Sequence, residues 1–243
     1  MAHAYLAPRL AGARAGDVVT VGGEEARHAV SVARLRAGER ITLLDGEGGR
    51  VDAEVTEASK AEFAARALDD ATFEPEPSPR ILLVQALAKG GRDEMALQAS
   101  VELGIDGVIP WQAQRSVAKW QGDKLAKQRE RWQTIARESS KQAIRARVPE
   151  VAEAVSTKQL AALGAELRLV MLDPLAEAPL SELEPDARDL ALVVGPEGGI
   201  DEREFELLTA AGGERRRLGG NVLRTSTAGP AALALLFTKL GRW

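Results

Sequence analysis

Beyond residue 80 the chain alternates short, continuous apolar runs with longer helical patterns. That alternation limits its possible folds more than any other feature. ILLVQAL (81–87), GVIPW (107–111), LRLVMLDP (167–174) and LALVVGP (190–196) have no polar side, as expected of strands buried on both faces. Between and after them come helical patterns. RDEMALQASVELG (92–104) has Gly104 placed for a left-handed cap, and a long basic helix covers 124–144. A helix over 201–211 carries acids in its first turn, where the helix dipole favours them. A nearly all-apolar helix, 227–240, closes the chain, with Pro230 in its first turn. The alternation predicts an α/β unit with a parallel sheet covered on both faces.

EPEPSP (74–79) interrupts the pattern upstream. Prolines at alternate positions forbid a helix and favour an extended spacer. The expected division is a domain over 1–73, a linker over 74–79 and a second domain over 80–243. The first part holds DVVTV (17–21), ERITLLDG (39–46), GRVDAEVTEA (49–58) and EFAARAL (62–68), short strands parted by glycine-rich turns. EEARHAVSVARL (24–35) reads as a helix whose apolar side is Ala26, Ala29, Val30, Ala33 and Leu35. A small β-barrel with one helix fits.

Composition removes several chemistries. There is no cysteine, so disulfides, thiolate nucleophiles and cysteine-ligated metals are excluded, and His3 and His28 are the only imidazoles. No metal site is expected. The start MAHAYLAPRLAG lacks the basic and apolar parts of a signal peptide. No run of about 18 apolar residues is present, so a cytoplasmic protein without a membrane partner is expected. The net charge of −4 hides an asymmetry: from Arg115 to Arg147 ten lysines and arginines face three acids. A basic stripe on an acidic chain points to a polyanion held in one place.

Open parallel sheets bind ligands beyond the carboxyl ends of their strands. Three loops fall there: 172–174, 195–200 and LGGNVLRTST (218–227). GPEGG (195–199) lacks both the dinucleotide spacing G-x-G-x-x-G and the phosphate-loop lysine. Glu197, Asp201 and Glu202 would repel phosphate. Close backbone approach without phosphate charge suits an uncharged or cationic ligand, such as an adenosine carrying a sulfonium. The same five residues also suit a plain tight turn.

LVVGPEGGIDEREFELL, followed by LGGNVLRTSTAGPAALALL, resembles the SPOUT superfamily of S-adenosylmethionine-dependent RNA methyltransferases. Within it the chain is similar to the bacterial 16S ribosomal RNA uracil-N3 methyltransferase family. HAVSVARLRAGERITLLDG (28–46), LVQALAKGGRDEMALQASVELG (83–104), QRSVAKW (114–120) and RWQTIARESSKQAIRARVPEV (131–151) carry the likeness in order along nearly the whole chain. Departures stand at Asn221, at Ser226 and at Ser140-Lys141.

The resemblance implies a C-terminal SPOUT domain with a deep trefoil knot, an N-terminal PUA-like RNA-binding barrel and a homodimer. It implies 16S ribosomal RNA, or the small ribosomal subunit, as substrate. S-adenosylmethionine would lie on Leu172, Asp173 and Pro174, and on Gly195, Pro196, Glu197, Gly198, Gly199 and Ile200. The third loop would add Leu218, Gly219, Asn221, Leu223, Arg224, Thr225, Thr227 and Ala228. Bare backbone at Gly195, Gly198, Gly199 and Gly219 would approach the ligand; for each leucine taken alone core packing is the commoner role, and only placement in these loops favours contact.

A ring nitrogen needs only to lose its proton, whereas pyrimidine C5 needs a covalent nucleophile, most often cysteine. Arg115 and Arg224 are the candidates for stabilising the developing charge, and neither is a comfortable base. Glu197 would take a proton if its pKa is raised; otherwise it bonds its own turn or the following helix. Phosphates would be held by Lys119, Lys124, Lys127, Arg131, Arg137, Lys141, Arg145 and Arg147, with Trp120 nearby and Trp132 in the core. Lys124, Lys127 and Arg131 share one helical face by spacing, which also suits a merely solvated helix. His28, Arg34 and Arg36 would form the barrel's RNA surface. A SPOUT enzyme acting on ribose 2′-hydroxyls and a non-catalytic RNA-binding assembly factor are the rival readings.

Overall fold

The computed structural model describes residues 3–243. These form two compact units: one reaches Glu76 and includes Arg137–Val148, and the other comprises Pro77–Ala136 and Pro149–Trp243.

The first unit contains β1 (His3–Leu6), β2 (Val18–Gly22), α1 (Gly23–Ser31), β3 (Arg40–Leu44), β4 (Gly49–Ala58), β5 (Glu62–Ala67) and β6 (Thr72–Phe73). Its six-stranded sheet runs β1-β3-β4-β5-β2, with β6 on β4. β1 and β3 are parallel and the other pairs antiparallel. Burial alternates along β4, so Val51, Ala53 and Val55 enter a core with Leu43, Phe63 and Tyr5. Helix α1 ends at Ser31, short of Leu35. Val32 and Ala33 both bond the carbonyl of His28, and Arg34 takes a φ of 60°. The turn exposes Ala33 and returns Leu35 to the core.

Residues 137–148 complete this unit. Lys141 is 8% exposed, and its ammonium meets Glu25 at 3.0 Å and Glu138 at 2.8 Å. Arg147 donates to the carbonyls of Glu74 and Pro75. Gly48 and Val148 add main-chain bonds to Ala146 and Gly46.

The second unit is α/β. Its elements are β7 (Ile81–Ala86), α2 (Arg92–Leu103), β8 (Gly107–Gln112), α3 (Lys124–Gln142, whose last turns belong to the first unit), β9 (Glu150–Val151), β10 (Val155–Ser156), α4 (Thr157–Leu163), β11 (Arg168–Leu172), β12 (Leu190–Val194), α5 (Glu202–Ala210), β13 (Glu214–Arg216) and α6 (Thr225–Lys239). All seven strands are parallel, in the order β10-β8-β7-β12-β11-β13, with β9 on β8.

Alternate residues of the central strands serve opposite layers. Leu82, Val84, Ala191 and Val193 join Leu160 of α4 and Phe205 and Leu208 of α5. On the other face α2 and α6 pack together and against β7. Gly229 of α6 passes so close that a side-chain carbon there would lie 3.1 Å from Leu83. Gly104 caps α2 with a φ of 115°. Asp201 and Glu204 cap the start of α5 reciprocally. Helix α6 begins at Thr225, two residues earlier than its apolar run suggests. Pro230 therefore lies in its second turn rather than its first. Among the described residues, no helix is long and apolar enough to cross a membrane.

Candidate active site

Three loops leave the carboxyl ends of neighbouring strands. Residues 173–175 follow β11, 195–200 follow β12, and 217–224 join β13 to α6. They enclose a cavity of about 850 Å³ within the second unit, in the size range of small-molecule sites. Every candidate cofactor residue lines it except Thr227, whose hydroxyl instead bonds the Arg224 carbonyl at the start of α6. Glu202 also lines it, as do Arg92, Leu175, Val194, Phe205, Arg215 and Val222, which were not singled out from the sequence.

The middle loop is shaped by its glycines. A side-chain carbon on Gly195 would lie 2.7 Å from Ile200 Cγ1, and one on Gly198 would lie 3.3 Å from Arg115 Cβ. Gly199 has a φ of 73° and closes the turn with an N–H bond to Pro196. Gly219 meets nothing, so no steric demand explains it. Beneath the loop, the buried Gln85 amide donates to Thr225 Oγ1 at 2.9 Å, and that hydroxyl donates to the Gly195 carbonyl at 2.8 Å. This chain ties β7, the middle loop and α6 together. Gln85 is the one polar residue in β7, a readable sign of a buried partner.

The charges are arranged in pairs. Buried Asp173 accepts from Arg215 at 2.7 Å and from the Leu175 N–H. The Arg215 guanidinium lies 4.1 Å over Phe205. Arg115 donates to the Gly198 carbonyl at 3.2 Å and to Asp201 at 2.9 Å, so it braces the loop. Glu197 accepts from Arg92 at 2.8 Å and from the Lys89 N–H at 3.1 Å. Burial pushes its pKa up, but its own N–H, Arg92 and Lys89 outweigh that and hold it below the usual carboxylate range. Glu197 is therefore an ionised partner of Arg92 and not a raised-pKa proton acceptor. Its carboxylate accepts from its own N–H, Arg92 and Lys89, and not from the following helix. Arg224 is exposed on the cavity wall.

The basic residues separate by environment. His28, Arg34, Arg36, Lys119, Lys124 and Lys127 are exposed. Arg131 is exposed but makes a two-point ion pair with Glu94. Arg137 and Arg145 are partly buried. Lys141 cannot hold phosphate, because burial and two carboxylates commit it to its own unit. Arg147 is committed to the carbonyls of Glu74 and Pro75. Trp120 is buried edge-on against Trp132 at 5.0 Å, not free for a base. Among the described residues, no group of three or more histidines and carboxylates could hold a metal ion.

Residues 74–237 match a family described as an RNA methyltransferase domain, and residues 21–68 match an RNA methyltransferase PUA domain. The chain is 39% identical over 235 residues to a Mycobacterium bovis protein named ribosomal RNA small subunit methyltransferase E, covering 94% of this chain and 89% of that one. A Bacillus subtilis protein of the same name is 31% identical over 226 residues, covering 89% and 88%. The Neisseria gonorrhoeae protein of that name, crystallised with S-adenosylmethionine, superposes with a TM-score of 0.86 at 29% identity, covering 98% of each chain.

Proposed function

The chain belongs to the RNA methyltransferase family, and from that premise we propose that it methylates N3 of a uridine in 16S ribosomal RNA of the small subunit, using S-adenosylmethionine. One observation carries this reading: the three-loop cavity lies in a chain that superposes over nearly its full length on a relative crystallised with that methyl donor.

The residues present fit the donor. Leu172, Ile200, Leu218 and Leu223 give apolar walls. Among the described residues, the peptide groups of 218–223 have no hydrogen-bond partner within the chain. A neutral purine needs such groups, and the acids around the loop disfavour phosphate. Bound there, S-adenosylmethionine supplies a methyl group activated by its sulfonium.

The rest falls to the chain's own residues. The loops fix the approach, an effect of about 7–11 kcal/mol when alignment is good. The target N3–H must ionise, and Arg224 stabilises the charge that develops on the ring oxygens. Water takes the proton. Arg115 positions the middle loop. The exposed His28, Arg34, Arg36, Lys119, Lys124 and Lys127 hold phosphates.

We extend the proposal to a division at 74–79 between an RNA-binding PUA-like domain and a knotted SPOUT domain, to a homodimer and to action in the cytoplasm. Mass spectrometry of nucleosides from small subunits of a deletion strain tests the reaction. Loss of N3-methyluridine supports it. Loss of a 2′-O-methyl nucleoside favours ribose methylation. An unchanged profile, with no donor binding by calorimetry, favours an RNA-binding assembly factor.

A further inference from the structure

Arg92 is at odds with its place in the fold. It opens helix α2, where the dipole disfavours a cation. It follows Gly90 and Gly91, both with positive φ and with open space where side chains would stand. Its guanidinium nevertheless reaches the cavity wall and is held by one contact, the 2.8 Å bond from Nη1 to Glu197 Oε1. Nε and Nη2 have no partner among the described residues. Arg115, by contrast, spends one amino group on the loop and one on Asp201 at the start of α5. Glu197 is fixed from a second direction by the Lys89 N–H, so it orients Arg92 and leaves that residue's other donors to a ligand.

We infer that Arg92, oriented by Glu197, contacts the pyrimidine oxygens of the target nucleotide and stabilises them as N3 loses its proton. The inference rests on the reaction proposed above. That step balances without another reagent. The N3 proton passes to water, the nitrogen pair forms the new N–C bond, and the pair of the breaking C–S bond returns to sulfur. Negative charge lives on the ring oxygens only between ionisation and transfer. A guanidinium fixed beside them therefore acts on rate and not on donor binding. Glu197 is a positioning residue that works through Arg92.

Single-turnover methylation of small subunits at saturating donor tests this with Arg92→Met, Arg92→Lys, Glu197→Gln and the double variant Arg92→Met/Glu197→Gln. Arg92→Met should slow transfer by about 100-fold, with the donor dissociation constant changed less than about threefold. Arg92→Lys should recover part of the rate. Glu197→Gln should cost about tenfold alone and almost nothing in the Arg92→Met background. Subunits carrying 5-fluorouridine, whose N3–H is more acidic, should narrow the Arg92→Met deficit, which a purely structural defect would not do. If the wild-type protein transfers no methyl group to N3, the reaction reading falls and this inference with it. If wild type is active, an Arg92→Met rate within about twofold of it overturns the Arg92 assignment alone. Equal losses from Glu197→Gln in both backgrounds overturn the positioning role.

Discussion

At Gly195 a single hydrogen leaves room that a methyl group would not have. The carbon that alanine adds would sit 2.7 Å from Ile200 Cγ1 and 3.3 Å from the Ile200 N–H nitrogen, and Ile200 is buried. Neither atom is a flexible tip, so the loop must move. Gly195→Ala should therefore weaken S-adenosylmethionine binding by at least about tenfold in calorimetry; an affinity within twofold of wild type would mean the loop adapts and the glycine is only a turn residue. The run GPEGG made this position readable, because the end of a buried strand followed by glycines announces close backbone approach. Arg92 went unread, although its sign against the helix dipole was in plain view. Gln85 went unread for a different reason. It lies inside an apolar run, and only the fold brings Thr225 to it across 140 residues.

Among the elements, the long apolar strands were legible and the short edge strands were not. β7, β11 and β12 are buried on both sides and read as unbroken apolar runs. β13 is Glu-Arg-Arg, a sequence with no strand character. Its partner β11 and its ion pairs hold it in place. Arg168, whose side chain is 10% exposed, donates to Glu214 at 2.7 Å, and Arg216 pairs with the other carboxylate oxygen. Burial pushes the Glu214 carboxyl up, but Arg168 and Arg216 outweigh it and set it below the usual range. A carboxylate depressed in the folded state stabilises fully above its unfolded pKa of about 4.3. That stabilisation is lost as pH falls through the lower folded value. Glu214→Gln should cost about 1–3 kcal/mol near neutral pH, and its gap from wild type in urea titrations should shrink toward pH 3. A gap independent of pH would assign the loss to packing. The start of α3 offers a cleaner test of RNA binding. Reversing Arg131 would set two carboxylates together at Glu94 and confuse binding with stability. Lys124 and Lys127 are exposed in the first turns of the helix, where glutamate is favoured by the dipole. Lys124→Glu/Lys127→Glu should leave the melting temperature unchanged or raised. It should lower the slope of log affinity against log salt by about 0.7–0.9 for each phosphate no longer neutralised. An unaltered slope would show that this face meets only water.

For the whole molecule, the chain passes from the first unit to the second between Glu76 and Pro77, within EPEPSP, whose three alternate prolines suit neither a helix nor a central strand. Nothing in periodicity marked residues 137–148 as part of the first unit. Residues 137–142 continue α3 without a break before the chain turns at Ile144, and a helix pattern records which side is apolar, not which body lies against that side. The interactions that recruit them are single polar ones scattered over long separations. Glu25 receives both the Lys141 ammonium and the Leu6 N–H. The turn at 46–48 bonds Ala146 and Val148, and Arg147 holds Glu74 and Pro75. Removing the segment leaves Glu25, a mostly buried carboxylate, without its cation, and breaking such a pair costs about 3–5 kcal/mol. That is a large share of the roughly 5–15 kcal/mol by which whole domains are stable. A fragment of residues 1–76 should therefore melt broadly and at low temperature. The same fragment joined to residues 137–148 by a flexible Gly/Ser linker should melt cooperatively, and Lys141→Met in the joined fragment should reverse most of the gain. Calorimetric melting of the three proteins decides. A sharp transition in residues 1–76 alone, matching that of the joined fragment, would make the first unit independent of the helix end that packs with it.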